Sequence, residues 1–267
     1  MMCDFNQVFE QAKAWAIEAG KMSLARLESP IEFTYKSSPS DLVTHVDKEI
    51  EEFLVKRILT HYPDHGIVGE EGTFERDPNE FETLWIIDPI DGTTNFVHQK
   101  LNYVISIGVV HQGVGMMGII YDPSRDELFC GKKGEGASLN GQPLRLEQPV
   151  KQKEALICTS LFWNQRAEEF GLDKVVYDLP KACRGIRVYG CAALEMAYVA
   201  AGRVDAYVSL FLNPWDFAGG KVILEEAGGK VSNLEGEELP FAKASTVVAS
   251  NPFLFPELIA YMKQSIS

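Results

Sequence analysis

Several hallmarks of other protein classes are missing from this sequence of 267 residues. Its five cysteines are odd in number, widely spaced and without a C-x-x-C pair, so we expect no disulfide framework and a reduced, cytoplasmic chain. No basic segment followed by an apolar one opens the sequence, so no secretory signal is predicted. No apolar run approaches the roughly 18 residues of a membrane span, and no membrane association is expected.

Positive charge is also scarce. The chain has 25 Lys and Arg against 38 Asp and Glu, a formal net charge of −13, and its longest basic run is Lys132-Lys133. An acidic surface repels phosphate backbones and anionic lipids, so direct binding to nucleic acid or to a membrane is not predicted. The five histidines are interpreted as surface or loop residues rather than zinc ligands.

The composition, with 46% hydrophobic and 24% charged residues, is that of an ordinary globular protein. Apolar periodicity predicts helices over 4–27 and 47–60, a strand over 84–88, a hairpin of 103–111 with 115–122, a strand over 126–131 and turns over 131–141. Further along, strands (155–159, 185–188, 204–210, 246–249) alternate with helices (165–178, 191–201, 216–227, 253–265). A polar stretch near 149–153 predicts a division into 1–150, leaning antiparallel, and 151–267, of α/β type.

The strongest local signal is the segment Trp85–Phe96, W-I-I-D-P-I-D-G-T-T-N-F. Asp88 ends an apolar strand, and Gly92 permits a tight turn into a short helix. Asp88 and Asp91 therefore project beside the N–H groups of a helix N-terminus. Those N–H groups attract phosphate whereas carboxylates repel it, so the two features are compatible when cations lie between them, and Mg²⁺ takes such oxygen ligands. Read alone, D-P-I-D-G is also ordinary turn chemistry.

Two further segments carry acidic residues at defined positions. Glu70 and Glu71 stand between glycines after an apolar pair, and Asp216 stands near the start of a predicted helix in N-P-W-D-F-A-G-G. Taken singly, the Glu70-Glu71 segment is also explained as a solvated loop, and Asp216 is also explained as the N-cap of a helix.

Together these segments resemble the inositol monophosphatase family, the lithium-sensitive, magnesium-dependent phosphatases. The similarity extends over essentially the whole chain, and its motifs are Lys36–Thr44, Gly69–Glu71, Asp88–Phe96, Gly190–Ala193 and Trp215–Gly219. The resemblance implies an α/β fold of the layered αβαβα type. It also implies hydrolysis of a small phosphate monoester with two or three Mg²⁺ ions, and a homodimer.

The resemblance implies a role for each matching residue. Glu70, Asp88 and the carbonyl of Ile90 are expected to hold one Mg²⁺, and Asp88, Asp91 and Asp216 a second, while Glu70 also reaches a third, weaker ion. The expected catalytic residues are Glu70, Thr93 and Asp91, with Thr93 and Glu70 orienting and deprotonating the attacking water. The expected substrate contacts are Ile90, Asp91, Gly92, Thr93, Gly190, Cys191, Ala192 and Asp216. Supporting positions behind these are Lys36, Asp41, Thr44 and Asp47.

The charges of such a site make metal ions a requirement. Four carboxylates and a phosphate monoester of about −2 total about −6, and unit charges 4 Å apart repel by roughly 4 kcal/mol at an effective dielectric of 20. In two-metal catalysis, one ion lowers the pKa of the attacking water and the other stabilises the leaving alkoxide.

Two departures from the family pattern bear on the substrate. Cys191 stands where members usually carry Ser or Thr, and Ser209 stands where inositol-specific members usually carry Glu, seven residues before Asp216. Inositol-1-monophosphate is the favoured substrate, and the 2′-phosphate of NADP and fructose bisphosphate are the alternatives.

Two alternatives from other functional classes stay open. Gly113–Gly118 matches G-x-G-x-x-G, the sole basis for a nucleotide-dependent oxidoreductase, but the following residues continue as a strand, which favours a hairpin. A non-catalytic role with a transcription or RNA-processing partner, as in some bacterial relatives, leaves no motif.

Overall fold

The structure is a computed structural model, and it describes residues 4–35, 42–74, 76–163 and 166–264. The helices are α1 (Phe5–Arg26), α2 (His45–His61), α3 (Thr93–His98), α4 (Arg166–Glu169), α5 (Asp173–Ala182), α6 (Ala192–Ala200), α7 (Pro214–Glu226) and α8 (Phe255–Gln264). The strands are β1 (Phe33–Tyr35), β2 (Leu42–Thr44), β3 (Gly66–Gly69), β4 (Thr83–Asp91), β5 (Val104–His111), β6 (Val114–Asp122), β7 (Glu127–Lys132), β8 (Gly136–Leu139), β9 (Gln142–Leu144), β10 (Leu156–Thr159), β11 (Gly185–Arg187), β12 (Ala206–Leu212), β13 (Lys230–Ser232) and β14 (Ser245–Ser250).

These elements form five layers, which confirms the predicted αβαβα architecture. Helices α1 and α2 pack on one face of a seven-stranded sheet of order β3-β4-β5-β6-β7-β8-β9. Helices α6 and α7 lie between that sheet and a five-stranded sheet of order β11-β10-β12-β14-β13. Helices α5 and α8 cover the outer face of the second sheet. Each layer buries an apolar face that would otherwise be exposed to water.

The pairing of β4 determines what lies at its C-terminal end. β3 runs parallel to β4 with Gly69 opposite Ile87, so Glu70 leaves its strand beside Asp88. β5 pairs with β4 in antiparallel fashion, and the register shifts between Asp88 and Asp91. The ladder is therefore interrupted at the two aspartates, which are the residues that the sequence singled out.

Close backbone contact brings α7 onto the first sheet, although α7 belongs to the second half of the sequence. A Cβ atom at Gly118 would lie 2.1 Å from the carbonyl oxygen of Gly219, a distance that no side chain could tolerate. The glycines on β6 and α7 thus permit a contact that places the N-terminus of α7, with Asp216, near the end of β4. The division into 1–150 and 151–267 stays a prediction.

Two predicted elements were wrong in part. The helix predicted over 165–178 is broken, because Gly171 adopts a φ of +66° and Leu172 N–H donates to the carbonyl of Ala167, which ends α4. The stretch 131–141, predicted as turns, contains β8, paired with β7 and β9 between glycine turns. The G-x-G-x-x-G segment lies in the β5–β6 hairpin, as predicted.

Two observations concern the cysteines and the helices of the described residues. Cys130, Cys158, Cys183 and Cys191 are free. Across the described part of the chain, no helix combines the length and apolar character needed to cross a membrane.

Candidate active site

A small cleft opens at the C-terminal end of β4, with a volume of about 190 Å³. Its lining residues are Leu42, Glu70, Asp88, Ile90, Asp91, Gly92, Thr93, Thr94, Gly190 and Asp216. All four carboxylates that the sequence proposed as metal ligands are among them, as is Ile90. Segments separated by almost 150 positions in the sequence therefore meet in one cleft.

Two of these carboxylates are buried at the base of the cleft. Burial raises the pKa of Asp88 well above its ordinary value, and the charges of Glu70, Asp91 and Asp216 raise it further. Burial also raises the pKa of Asp91 to about 6. Negative groups that raise one another's pKa need either protons or cations to remain together at neutral pH.

The donor set is suited in chemical type to a hard divalent cation. Carboxylate and backbone carbonyl oxygens are the ligands that Mg²⁺ takes, and the cleft offers five residues that supply them. Among the residues that the structure describes, no three His, Cys, Asp or Glu side chains form a group already disposed to hold a metal ion. The side chains thus share the cleft without forming a closed coordination sphere, while their mutual repulsion shows where positive charge is needed.

The hydroxyl of Thr93 belongs to a short hydrogen-bonded network. It lies 3.0 Å from Asp47 Oδ1 and 3.1 Å from the carbonyl oxygen of Ile90, either of which can accept its proton. The other oxygen of Asp47 accepts from the backbone N–H and the hydroxyl of Thr44, at 2.8 and 2.5 Å. Thr44 and Asp47 form the capping box of α2. The cap thereby also fixes the Thr93 hydroxyl.

Gly92 makes the turn between β4 and α3. Its φ of +90° lies in the left-handed region, and a Cβ there would lie 3.0 Å from the carbonyl oxygen of Asn102. The glycine allows the chain to reverse directly after Asp91, so that Gly92 and Thr93 line the cleft at the start of α3.

The opposite wall comes from the segment that precedes α6. Gly190 lines the cleft, whereas Cys191 and Ala192 are not among the lining residues. Cys191 Sγ donates to the carbonyl oxygen of Asp91 at 3.2 Å, and Ala193 N–H donates to Asp91 Oδ2 at 2.5 Å. Burial raises the pKa of Cys191 well above its ordinary value, so this thiol is a contact that supports Asp91 rather than a nucleophile.

Three residues named from the sequence have a different status. Ser209 is buried and lies outside the cleft lining, and its Oγ donates to the carbonyl of Phe211 at 3.3 Å. Lys36 and Asp41 lie outside the described residues.

Two buried polar residues near the cleft were missed by the sequence reasoning. Asn95 donates to the carbonyls of Tyr189 and Gly190, and Glu195 accepts from the N–H groups of the same two residues. A lone acid in the otherwise apolar A-A-L-E-M-A-Y-V-A segment was the signal that could have identified Glu195.

A much larger cavity, of about 1200 Å³, opens at the other end of β4. It is lined by three of the histidines, His61, His65 and His111, and four carboxylates, Asp4, Asp64, Glu80 and Glu82. His65 is buried rather than on the surface, and it lies in the loop between α2 and β3, in agreement with its interpretation as a surface or loop residue. Although His61 and His65 are four residues apart, α2 ends at His61, so they do not share a helix face.

Comparison with known proteins identifies the family. The chain matches the inositol monophosphatase family over residues 4–267. It is 42% identical over 254 residues to Inositol-1-monophosphatase of Bacillus subtilis (strain 168), covering 94% of both chains. It is 36% identical over 254 residues to Nus factor SuhB of Escherichia coli (strain K12), again covering 94% of both.

Solved structures agree with this assignment. The crystal structure of 2′AMP-bound SaIMPase-II superposes with a TM-score of 0.85 and 36% identity, covering 97% of this chain and 95% of that one. A structure of an IMPase/NADP phosphatase complexed with Mg²⁺ and phosphate gives a TM-score of 0.85 and 26% identity, covering 96% and 94%. The carboxylate cleft, the five-layer fold and these similarities agree: the chain belongs to the inositol monophosphatase family of magnesium-dependent phosphatases and is a phosphoric monoester hydrolase.

Proposed function

We propose that this phosphatase hydrolyses the phosphate monoester of a small sugar or polyol, with inositol-1-monophosphate as its first substrate. The observation that carries the proposal is the meeting of Glu70, Asp88, Asp91 and Asp216 in one cleft with the Thr93 hydroxyl. The relative with 42% identity is named for the same substrate.

In this proposal the cleft holds two or three Mg²⁺ ions. Glu70, Asp88 and the carbonyl of Ile90 hold one, Asp88, Asp91 and Asp216 hold another, and Glu70 reaches a third. When bound, Mg²⁺ supplies the positive charge that lets these carboxylates and a phosphate dianion share the cleft, lowers the pKa of the attacking water and stabilises the leaving oxygen.

The residues of the chain then position the reactants. The proton of the Thr93 hydroxyl is directed to Asp47 or to the carbonyl of Ile90, which leaves its lone pairs able to accept a hydrogen bond from water. Glu70, in the same cleft, accepts the proton that the water loses. The water oxygen forms a bond to phosphorus, the ester P–O bond breaks, and the departing alkoxide takes a proton to become the free alcohol.

The N–H groups of Gly92 and Thr93 hold the phosphate in this scheme. Gly190 forms the side of the site that faces the alcohol, and Asp91 and Asp216 complete it. Cys191 and Ala192, which lie outside the cleft lining, follow Gly190 in the chain and support this side of the site. Lys36, Asp41, Thr44 and Asp47 support these groups.

The substrate alternatives use the same cleft. The 2′-phosphate of NADP and fructose bisphosphate are both alternatives. One similar structure is bound to 2′AMP and another belongs to a protein named an NADP phosphatase, while a relative with 36% identity is named a fructose-1,6-bisphosphatase/inositol-1-monophosphatase. Ser209, which is buried outside the cleft lining, leaves no carboxylate at the position where inositol-specific members usually carry one.

A phosphate-release assay tests the proposal. Inositol-1-monophosphate, NADP, 2′-AMP, fructose-1,6-bisphosphate and glycerol phosphate would be compared with Mg²⁺ and with EDTA. We expect Mg²⁺-dependent release that is fastest with inositol-1-monophosphate. Preference for NADP and 2′-AMP by an order of magnitude would select the alternative, and full activity in EDTA would contradict the metal assignment.

Two further features belong to the proposal. We expect a homodimer, which light scattering on the purified protein would measure, and a cytoplasmic location, which fractionation of cells that express the protein would measure.

A second candidate is a non-catalytic role beside the phosphatase activity. The observation that favours it is the 36% identity to a protein named Nus factor SuhB. Affinity capture by Asp88→Asn and by the unsubstituted protein separates the two roles, because a partner of this kind should bind both equally while only the unsubstituted protein hydrolyses phosphate esters.

A further inference from the structure

The wall of the cleft opposite the carboxylates is a short strip of backbone, Tyr189–Gly190, between β11 and α6. Gly190 reaches the cleft with a φ of +72°, and the strip joins it to β11 of the five-stranded sheet. Such a link between two elements has few internal contacts of its own, so its position depends on the side chains that bind it.

Both edges of this strip are hydrogen-bonded by buried side chains. Glu195 Oε1 accepts from Tyr189 N–H at 2.5 Å and from Gly190 N–H at 3.4 Å. Asn95 Nδ2 donates to the carbonyl of Tyr189 at 2.7 Å and to that of Gly190 at 3.3 Å. The N–H groups and the carbonyls of the same two residues are thus bound from opposite directions.

The two side chains come from different sides of the cleft. Asn95 lies on α3, two residues after Thr93, and is 5% exposed, while Glu195 lies on α6 and is 3% exposed. Asn95 Nδ2 also donates to the carbonyl of Asn102 at 2.9 Å, which ties it to the loop beyond α3. The strip therefore connects the helix that follows the metal carboxylates to the helix behind the opposite wall.

Burial of Glu195 has a cost that its contacts must offset. Burial raises the pKa of Glu195 to about 7, and the hydrogen bonds from Tyr189 and Gly190 lower it. When a buried carboxyl group is ionised, its hydrogen bonds to two backbone N–H groups are stronger than those of a neutral acceptor, so it restrains the backbone more strongly.

We propose that Asn95 and Glu195 act as a clamp, a pair of positioning residues that hold Tyr189–Gly190 at a fixed distance from α3 and so set the width of the cleft where the alcohol part of the substrate lies. This inference rests on the proposed function, since it assigns the uncharged wall to the alcohol and the carboxylate wall to the phosphate. Neither side chain touches the reacting atoms.

The clamp predicts a separation of kinetic effects. Loosening the strip changes the contacts to the alcohol, whereas the carboxylates and Thr93 keep their positions. Glu70 directly follows β3, the other groups lie on β4, α3 and α7, and Asp91 keeps its bond from Ala193 N–H on α6. We expect Glu195→Ala and Asn95→Ala to raise KM for inositol-1-monophosphate by about tenfold while kcat changes by less than about threefold. With methyl phosphate, whose alcohol is too small to reach the wall, KM should stay within about twofold.

Matched variants distinguish the clamp from a general loss of structure. Glu195→Gln keeps an oxygen acceptor of the same reach and should restore KM. Gln99→Ala removes the exposed side chain that donates to Asn95 Oδ1 at 3.0 Å, without touching the bonds to the strip, and should behave as the unsubstituted protein. If Glu195→Ala fails to fold, Glu195→Asp provides the same test. Its shorter side chain withdraws the carboxylate from both N–H groups, so the same rise in KM is expected.

Hydrogen exchange adds a readout that is independent of catalysis. Exchange of the amides of Tyr189 and Gly190 should accelerate at least tenfold in Glu195→Ala and remain slow in Glu195→Gln. Unchanged exchange and unchanged KM in Glu195→Ala would overturn the clamp, as would an equal loss of kcat with both substrates. Absence of inositol-1-monophosphate hydrolysis by the unsubstituted protein would instead contradict the proposed function, and the exchange result would still decide whether the clamp holds the strip.

Discussion

The two ends of β4 differ in a way that identifies the active site. Beside Thr83, at its N-terminal end, the strand borders a cavity of about 1200 Å³, while beside Asp88 and Asp91 it borders a cleft of about 190 Å³. The larger space has more aromatic lining and three histidines, yet the smaller one is the proposed site of the phosphatase chemistry. Volume is therefore a poor guide here, and the grouping of charge is a better one.

The polar groups at the two ends have different partners. At the large cavity, Trp85 Nε1 donates to His65 Nδ1 at 3.0 Å, and Thr83 Oγ1 lies 2.9 Å from His111 Nδ1, so neutral groups are paired within the chain. At the cleft, like charges raise the pKa of Asp88. Internally paired groups stabilise the fold, whereas converging like charges require a ligand from outside.

The largest expected effect comes from removing one carboxylate at the cleft end. Asp88→Asn should lower kcat/KM by at least about 10²- to 10³-fold, because the amide is a poor Mg²⁺ ligand. It should also raise the free energy of unfolding in EDTA, since it removes a buried charge that its neighbours repel. Glu82→Gln, at the other end of β4, is the control and should leave both quantities unchanged. Equal losses in the two variants would contradict the contrast between the ends.

The next effect concerns Glu195, behind the cleft, whose pKa is about 7 in the folded protein against an ordinary value of 4.5. Because the folded protein binds this proton more tightly than the unfolded chain does, protonation of Glu195 stabilises the fold at pH values below the unfolded pKa. This stabilisation is lost as the pH rises from about 4.5 through 7. At about 1.4 kcal/mol per pH unit, the loss is on the order of 3 kcal/mol. The free energies of unfolding of Glu195→Gln and of the unsubstituted protein, measured in urea across this pH range, should diverge by that amount. Parallel curves would show that Glu195 ionises normally.

Thr93→Val tests the nucleophile network at the cleft end. The substitution keeps the shape of the side chain and removes the hydroxyl that lies against Asp47, so kcat should fall by about tenfold to a hundredfold. Thr83→Val removes the matching hydroxyl at the large cavity and should leave kcat unchanged. Steady-state kinetics at saturating Mg²⁺ measures both, and an unchanged kcat in Thr93→Val would remove Thr93 from the mechanism.

The smallest effect is expected at the large cavity and has the opposite pH dependence. Burial lowers the pKa of His65 below its ordinary 6.5. Because the folded protein binds the proton of His65 less tightly than the unfolded chain does, the neutral imidazole stabilises the fold at pH values above the unfolded pKa. This stabilisation is lost as the pH falls through the folded pKa. His65→Gln, which retains an acceptor for Trp85, should therefore lose less stability on acidification below about pH 6.5. If the free energies of unfolding of the two proteins, measured in urea, fell equally with pH below about 6.5, this prediction would be contradicted.

Much of the fold followed from local patterns. The amphipathic helices, the β5–β6 hairpin and the alternation after residue 155 were predicted within a few residues, because apolar periodicity reflects which face is buried. The predictions failed where one glycine decided the outcome. The left-handed φ of Gly171 ends α4, and turn-forming residues flank the short β8, so neither was evident from periodicity.

The active site shows the same division. Asp88, Asp91, Glu70 and Asp216 were identified because their types and motifs carry chemical meaning, whereas Asn95 and Glu195 were not, because their partners are backbone groups, which leave no signal in the residue types. Ser209 marked a real departure from the family pattern, but only the structure showed that it is buried outside the cleft lining.

The sequence by itself determined the family, since residue types and short motifs are local properties, and the resemblance to that family implied the layered fold and the chemistry. Only the tertiary structure decided that α7 reaches across to the first sheet through Gly118 and Gly219, that Cys191 supports Asp91, and that a backbone strip forms the wall facing the carboxylates. Those facts depend on contacts between residues 100 or so positions apart. Packing of the whole chain fixes such contacts, and no local pattern specifies them.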